Sequence, residues 1–469
     1  MTLLPFRDDH PALIVPGQDP LTHSELAVRA ERLAADLALP RGKGLVFLFA
    51  RNTLTSVVAY LAALEAGHAV ALLDEGLKAE FAAHLVAHYQ PDLIYHEGEP
   101  AWLSGYTPLG NGFARAEQSA PGELHPDLTL LLTTSGSTGS PKFVRLSRDN
   151  VLSNARAISK SLRLSRDERA VTTLPFHYSY GLSVLHSHLV SGASVVVTEA
   201  SVMEPTFWEL LKTEGITSIA GVPYTYQMLD RLGFAKAEWP TLRHLTQAGG
   251  KLADPLTRKF LDIAQDRGLN FFVMYGQTEA APRISCVPPE RLTEKLGSAG
   301  LALPGGELLV ETPTGRTTEA GVTGEIVYRG PNVMMGYAEG REDLALGDVQ
   351  GNELYTGDLG HLDEEGFLFI TGRSKRIAKV FGVRLNLDEV EGLFRDLGPV
   401  AVLGAADKLH VFHEHTDDAL LASLRKGVAL DLKVPVQAIS LKHLETLPTL
   451  SSGKIDYRSL QRQLEGGSA

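Results

Sequence analysis

Two hydrophobic rhythms alternate along the first two thirds of the chain. Residues 22–37 place apolar side chains three and four apart behind a Thr/Ser cap, which predicts a helix. Residues 44–50 are a continuous apolar run and predict a buried strand. A helix at 56–67 closing on glycine, a strand at 68–73 and a strand at 92–95 follow. The rhythm resumes with helices at 150–162 and 207–213 and strands at 170–174, 194–198, 218–222 and 271–275. Strand, helix, strand in this order predicts βαβ units and a largely parallel sheet. From about residue 297 glycine becomes frequent and the apolar runs shorten, as at 307–310, 324–328 and 366–370. These predict a small antiparallel barrel, and a smaller α+β segment follows. The expected fold is α/β: a large N-terminal domain of βα-layered sheets with a small β-barrel, then a small mobile α+β C-terminal domain.

Composition narrows the function. The 469 residues suggest more than one folding unit. Against 44 Lys+Arg stand 56 Asp+Glu, a net charge of −12, which argues against sequence-independent nucleic-acid binding. The single cysteine, Cys286, supports neither an internal disulfide nor a thiolate zinc cluster. The N-terminus has no basic start ahead of an apolar core, and runs such as 44–50 are far shorter than a membrane span. A cytoplasmic enzyme without a membrane span is the expectation.

The strongest chemical signal is Leu131-Leu132-Thr133-Thr134-Ser135-Gly136-Ser137-Thr138-Gly139-Ser140-Pro141-Lys142. An apolar strand opens into hydroxyls and glycines and ends in a lysine. Glycines let backbone N–H groups turn toward an anion, hydroxyls add donors and lysine adds charge, so the loop reads as a phosphate cradle. The Walker A spacing is absent.

This string resembles the signature loop of the adenylate-forming superfamily, which includes acyl- and aryl-CoA ligases, peptide-synthetase adenylation domains and luciferase. Further blocks resemble that family in its order. They are Leu174-Pro175-Phe176-His177, Gln247-Ala248-Gly249-Gly250 and Tyr275-Gly276-Gln277-Thr278-Glu279. Next come Gly324-Glu325-Ile326 with Gly330-Pro331-Asn332-Val333-Met334-Met335-Gly336-Tyr337, then Tyr355-Thr356-Gly357-Asp358. Last are the hinge block from Gly372-Arg373 to Gly382, and Ser451-Ser452-Gly453-Lys454-Ile455-Asp456.

The resemblance implies a domain border between 372 and 373, with an adenylation domain at 1–372 and a small domain at 373–469 carrying the catalytic lysine. It implies ATP-dependent activation of a small carboxylic acid to an acyl-adenylate, then transfer to the thiol of coenzyme A or of a carrier protein's phosphopantetheine. Thr134, Ser135, Gly136, Ser137, Thr138, Gly139 and Lys142 would hold the β- and γ-phosphates, and Thr278 the α-phosphate. Glu279 would bind Mg²⁺, which favours one or two carboxylates beside phosphate oxygens. Gly249, Gly250, Tyr275 and Gly276 would lie by the adenine, Asp358 and Arg373 by the ribose. Lys454 would stabilise charge in the adenylation transition state. His177 would gate the acid and the thiol tunnel. Lys375 would be the hinge, with Gly382 along the pantetheine arm, and Lys379 either serves the second half-reaction or stands exposed.

For the acid, Tyr178 stands where amino-acid-activating relatives place an aspartate to pair with the substrate amine, so an aryl or other acyl group is favoured over an ordinary α-amino acid. Tyr178 and Tyr180 could line the pocket beside His177 and Gly249. Arg283 either binds a second carboxylate or faces solvent. The alternatives are an enzyme that stops at the adenylate or passes it to an amine or to oxygen, a stand-alone adenylation enzyme loading an amino acid onto a carrier protein in trans, and a non-catalytic nucleotide-binding relative. Retention of Lys142, Glu279, Asp358 and Lys454 argues against the last.

Overall fold

The computed structural model describes all residues except 1–2, 99, 101–102, 119, 134–141, 374–375, 382, 406, 451–454 and 467–469, with the backbone alone at 377, 379, 384, 386 and 465–466. Two compact units emerge, Met1–Glu307 with Tyr328–Leu354, and Leu308–Val327 with Tyr355–Ala469.

The first unit is built on two mixed sheets. One has nine strands in the order Leu301–Ala302, Arg283–Val287, Asn270–Gly276, His244–Gln247, Ser218–Gly221, Arg169–Val171, Ser194–Val196, Pro11–Ile14, Leu21–Thr22. The other has eight, in the order Gly336–Ala338, Phe143–Ser147, Leu128–Thr133, Ala69–Asp74, Leu45–Ala50, Leu93–Tyr95, Phe113–Ala116, Tyr106–Pro108. The inner strands run parallel, as the βαβ rhythm requires, and the outer ones antiparallel. The expected largely parallel sheet is therefore a pair of sheets with antiparallel margins.

Local chemistry sets the elements. Helix His23–Asp36 starts at Thr22, whose hydroxyl accepts from Glu25 N–H while the Glu25 carboxylate accepts from Thr22 N–H. This capping box stabilises the helix start, typically by about 1 kcal/mol. Strand Leu45–Ala50 is buried on both faces, which explains its uninterrupted apolar run. Phe47, Tyr89 and Phe143 pack in one core, with Tyr89 and Phe143 edge to face at 4.9 Å. Phe143 thus anchors the residue just before it, Lys142.

The strands expected to form a barrel make a five-stranded sheet in the order Gly315–Thr317, Glu307–Thr312, Gly324–Arg329, Glu353–Leu362, Leu368–Arg373. Beyond it lie the hairpin Ile377–Val380 with Val383–Asn386 and the three-stranded sheet Val400–Ala405, Lys408–His413, Ile439–His443. Val390, Phe394, Val402, Val411 and Ile439 share a core there, giving the small α+β fold. Among the described residues no helix is long and apolar enough to cross a membrane.

Helix Ser179–Val190 hides two histidines. Burial pushes His186 down to about 3 and His188 to about 4. The unfolded chain binds these protons near pH 6.5, whereas the native protein does not until pH 4 or below. Stability is therefore expected to fall as pH drops through 6.5, by ~2 kcal/mol for each histidine at pH 5. Urea unfolding at pH 7 and pH 5 checks this; equal midpoints would contradict it.

Candidate functional site

Most candidate residues of the first unit follow the carboxyl ends of parallel strands, where open α/β sheets place their ligand crevices. The turn Ala248-Gly249-Gly250 follows strand His244–Gln247. Gly249 has φ +81°, and a Cβ there would stand 2.6 Å from the Tyr178 hydroxyl, so glycine is required twice over. Tyr275 and Gly276 end strand Asn270–Gly276. A Cβ on Gly276 would meet the Pro282 carbonyl at 1.9 Å, which gives this glycine a packing reason of its own.

Thr278 and Glu279 occupy the short 3₁₀ turn Thr278–Ala280. Asn332 pins that turn from outside by donating to the carbonyls of Ala280 at 2.6 Å and Arg283 at 2.9 Å. Tyr328 in turn donates to Asn332 Oδ1 at 2.8 Å. The Thr278 hydroxyl lies 3.2 Å from that of Ser179. The Glu279 carbonyl accepts from Met334 N–H at 2.9 Å, and its carboxylate accepts from the Tyr337 hydroxyl at 2.9 Å.

Lys142 reaches the same place. Strand Phe143–Ser147 pairs antiparallel with Gly336–Ala338, with Tyr337 opposite Val144. This register sets the Lys142 ammonium 3.5 Å over the Tyr337 ring and 3.6 Å from the Glu339 carboxylate. The cation–π contact and the carboxylate hold the lysine beside the Tyr337–Glu279 pair. Burial, then Glu279, pushes Tyr337 above its ordinary range, so its hydroxyl remains a donor.

Both ends of the Asn52 amide clamp the segment before His177: Nδ2 donates to Leu174 O at 3.2 Å and Oδ1 accepts from Phe176 N–H at 3.1 Å. His177 Nε2 lies 3.7 Å from Asp74 Oδ2, while its buried Nδ1 has no hydrogen-bond partner. Burial lowers the His177 pKa and Asp74 opposes the shift. Tyr178 and Tyr180 lie edge to face with ring centres 6.4 Å apart, and burial pushes Tyr178 up to about 12. Arg283 is buried, which removes the expectation that it faces solvent.

In the second unit, Asp358 and Arg373 are register partners on strands Glu353–Leu362 and Leu368–Arg373. Arg373 Nε donates to the buried Asp358 carboxylate at 3.1 Å, while the arginine itself is 62% exposed. Thr356 braces this stretch of the strand by donating to Ile326 O at 2.7 Å and accepting from Asp358 N–H at 3.1 Å.

Thr134, Ser135, Gly136, Ser137, Thr138, Gly139, Lys375, Gly382 and Lys454 lie outside the described residues, as does the Lys379 side chain. Sequence reasoning passed over Asp74, Ser179, Asn332 and Tyr337 as site residues. Asn332 and Tyr337 were visible in the block 330–337, but only strand pairing shows what they touch.

The donor set suits Mg²⁺ arriving with a phosphate. Among the described residues no three His, Cys, Asp or Glu side chains gather as a metal cage. Glu279 offers one oriented carboxylate, and Mg²⁺ takes one or two of these beside phosphate oxygens and water.

The model of the family described as AMP-binding enzyme matches residues 6–338. A feruloyl-CoA synthase of an Amycolatopsis species is 29% identical over 482 residues, spanning 97% of this chain and 96% of that protein. A 2-succinylbenzoate–CoA ligase of Bacillus cereus strain Q1 is 31% identical over 348 residues, spanning 71% of this chain and 70% of that one. The o-succinylbenzoate CoA synthetase of Bacillus subtilis, solved with its acyl-adenylate intermediate, superposes with a TM-score of 0.80 at 25% identity, covering 97% of this chain and 95% of that chain. The same enzyme with ATP and magnesium ion gives 0.77 at 26% identity, covering 97% of each.

Proposed function

Because this chain belongs to the AMP-binding enzyme family, we propose that it is an AMP-forming acid–thiol ligase working in two half-reactions. In the first, a carboxylate oxygen of a small acid attacks the α-phosphate of ATP; pyrophosphate leaves and an acyl-adenylate forms. In the second, the thiol of coenzyme A attacks the acyl carbon; AMP leaves and a thioester forms. The relatives named as CoA ligases and the structures titled with an acyl-adenylate and with ATP and magnesium support this reading.

The observation that carries it is the run of contacts from Lys142 over Tyr337 to Glu279. It joins the cation closing the phosphate loop to a single oriented carboxylate. Two anions must meet in the first half-reaction, so charge neutralisation is the site's first task. Lys142 and residues 134–139 take the β- and γ-phosphates, and Thr278 the α-phosphate. Glu279 would hold Mg²⁺, which would supply further charge neutralisation on the phosphates. Tyr275, Gly249, Gly250 and Gly276 border the adenine, and Asp358 with Arg373 takes the ribose. His177 gates the acid, which Tyr178, Tyr180 and Arg283 surround. Lys454 stabilises the adenylation transition state.

Residues 373–469 act as the domain that changes place between the half-reactions, with Lys375 as hinge and Lys379 and Gly382 serving the thiol. We read the five-stranded sheet as a small barrel, and the cytoplasm, which supplies ATP and coenzyme A, as the setting. A carrier protein's phosphopantetheine offers the same thiol in trans.

Mass detection of an acyl-CoA and AMP from acid, ATP, Mg²⁺ and coenzyme A tests the reading; ADP and phosphate as products would overturn it. Tyr337→Phe removes the hydroxyl that orients Glu279. It is expected to raise the Mg²⁺ concentration needed for half-maximal activity by about 10–100-fold. An unchanged Mg²⁺ titration would contradict that role.

A further inference from the structure

Strand Arg283–Val287 carries a guanidinium into the interior of the first unit. Arg283 is 3% exposed, and its Nε–H has no hydrogen-bond partner. Its guanidinium lies 3.8 Å over the Tyr180 ring, and the groups that face it are Tyr180, Tyr178 and Cys286. Among the described residues no carboxylate pairs with it. The backbone leaves it little freedom to withdraw. Asn154 accepts from Arg283 N–H at 3.2 Å and donates to its carbonyl at 2.8 Å, while Asn332 donates to the same carbonyl.

Arg283 lines a narrow cavity of about 20 Å³ between helix Ser179–Val190 and the nine-stranded sheet. Ser183, Ser187, Ser218 and Thr246 bring hydroxyls to its wall. Among the lining residues Arg283 alone carries a permanent charge. His188 is fully buried and neutral, with Nδ1 2.8 Å from the Val184 carbonyl. His244 is 3.4 Å from Glu168, and that carboxylate is committed elsewhere, with Arg243 at 3.2 Å and the Thr217 hydroxyl donating to it. Burial pulls Glu168 upward, but the hydrogen bonds from His244 and Thr217 hold it down at about 2.

A buried guanidinium without a counter-ion is costly, and a carboxylate satisfies it through two parallel N–H···O bonds. The rings of Tyr178 and Tyr180 connect His177, the proposed gate for the reacting carboxylate, to Arg283. Two ring contacts, 6.4 Å between Tyr178 and Tyr180 and 3.8 Å from Tyr180 to the guanidinium, span the way from the residue next to His177 to Arg283. We propose that the acid is a short dicarboxylic acid, one carboxylate reacting with ATP and the other pairing with Arg283. This rests on the acid-pocket reading of the proposed function. It also accounts for Tyr178 in place of an acidic residue, since a substrate ammonium would meet a like charge here.

The test is kcat/KM in acid-dependent pyrophosphate exchange for matched pairs: propanoate and malonate, butanoate and succinate, pentanoate and glutarate, benzoate and phthalate. One diacid is expected to exceed its monoacid by about 100-fold or more, because a monoacid leaves Arg283 unpaired. Arg283→Leu is expected to erase that preference, and Arg283→Lys to restore part of it, with thermal unfolding as the check on folding. If Arg283→Leu does not fold, the wild-type pairs and Arg283→Lys decide. Monoacids equal to or better than diacids, or a diacid preference that survives Arg283→Leu, would overturn the inference while leaving the ligase reading intact. Absence of exchange with any acid would instead remove the ligase reading.

Discussion

Lys454→Ala is expected to lower acid-dependent exchange of pyrophosphate into ATP by about 10²–10³-fold, the usual cost of losing one donor aimed at developing transition-state charge. A synthetic acyl-adenylate supplied with coenzyme A should still be converted to thioester by the same variant. The asymmetry follows from the chemistry. In the first half-reaction negative charge builds where the carboxylate meets the α-phosphate, and a cation there lowers the barrier directly. In the second, a thiol meets an acyl carbon already activated by AMP, and that cation has no comparable charge to offset. Measuring the two half-reactions separately decides the matter. Equal loss of both would mean that Lys454 supports the fold or the thioester step instead.

Asp358→Ala should weaken ATP use through the ribose. A carboxylate accepts two hydrogen bonds at once, and hydrogen bonds to a charged acceptor contribute about 1.5–3 kcal/mol each. Losing both corresponds to roughly 3–6 kcal/mol, or about 10²–10⁴-fold in kcat/KM for ATP. Arg373, which donates to Asp358 at 3.1 Å, is exposed and is solvated when its partner is removed. The loss is therefore assigned to the nucleotide contact. Replacing ATP by 2′-deoxyATP and 3′-deoxyATP supplies the control: the wild-type enzyme should discriminate against both, and Asp358→Ala should discriminate against neither. Undiminished discrimination in the variant would place the ribose elsewhere.

The sequence revealed local structure and chemistry better than it revealed neighbours. Capping at Thr22, the apolar strand Leu45–Ala50 and the glycine turn at Gly249 are written in residues a few positions apart. The Tyr337–Glu279 hydrogen bond depends on strand Gly336–Ala338 pairing with Phe143–Ser147, about 190 positions earlier, a register that periodicity does not encode. Strand Pro11–Ile14 beside Ser194–Val196 is equally non-local, and so is the antiparallel turnover at the sheet margins. Arg283 shows the limit most sharply. Its position just past Glu279 left second-carboxylate binding and solvent exposure equally open. The long-range hydrogen bonds from Asn154 and Asn332 fix its backbone inside the sheet and remove the second choice. The net charge of −12 likewise concealed Lys142, held next to an aromatic ring and a carboxylate.

The first half-reaction joins an acid to AMP at the expense of ATP. Exchange of radiolabelled pyrophosphate into ATP, measured with Mg²⁺ over mono- and dicarboxylic acids, tests it most directly because it reads the first half-reaction without the thiol. Label in ATP is expected to depend on the acid and to fall by about 10²–10³-fold in Lys454→Ala. Label that is independent of added acid, or none with any acid across the panel, would contradict it.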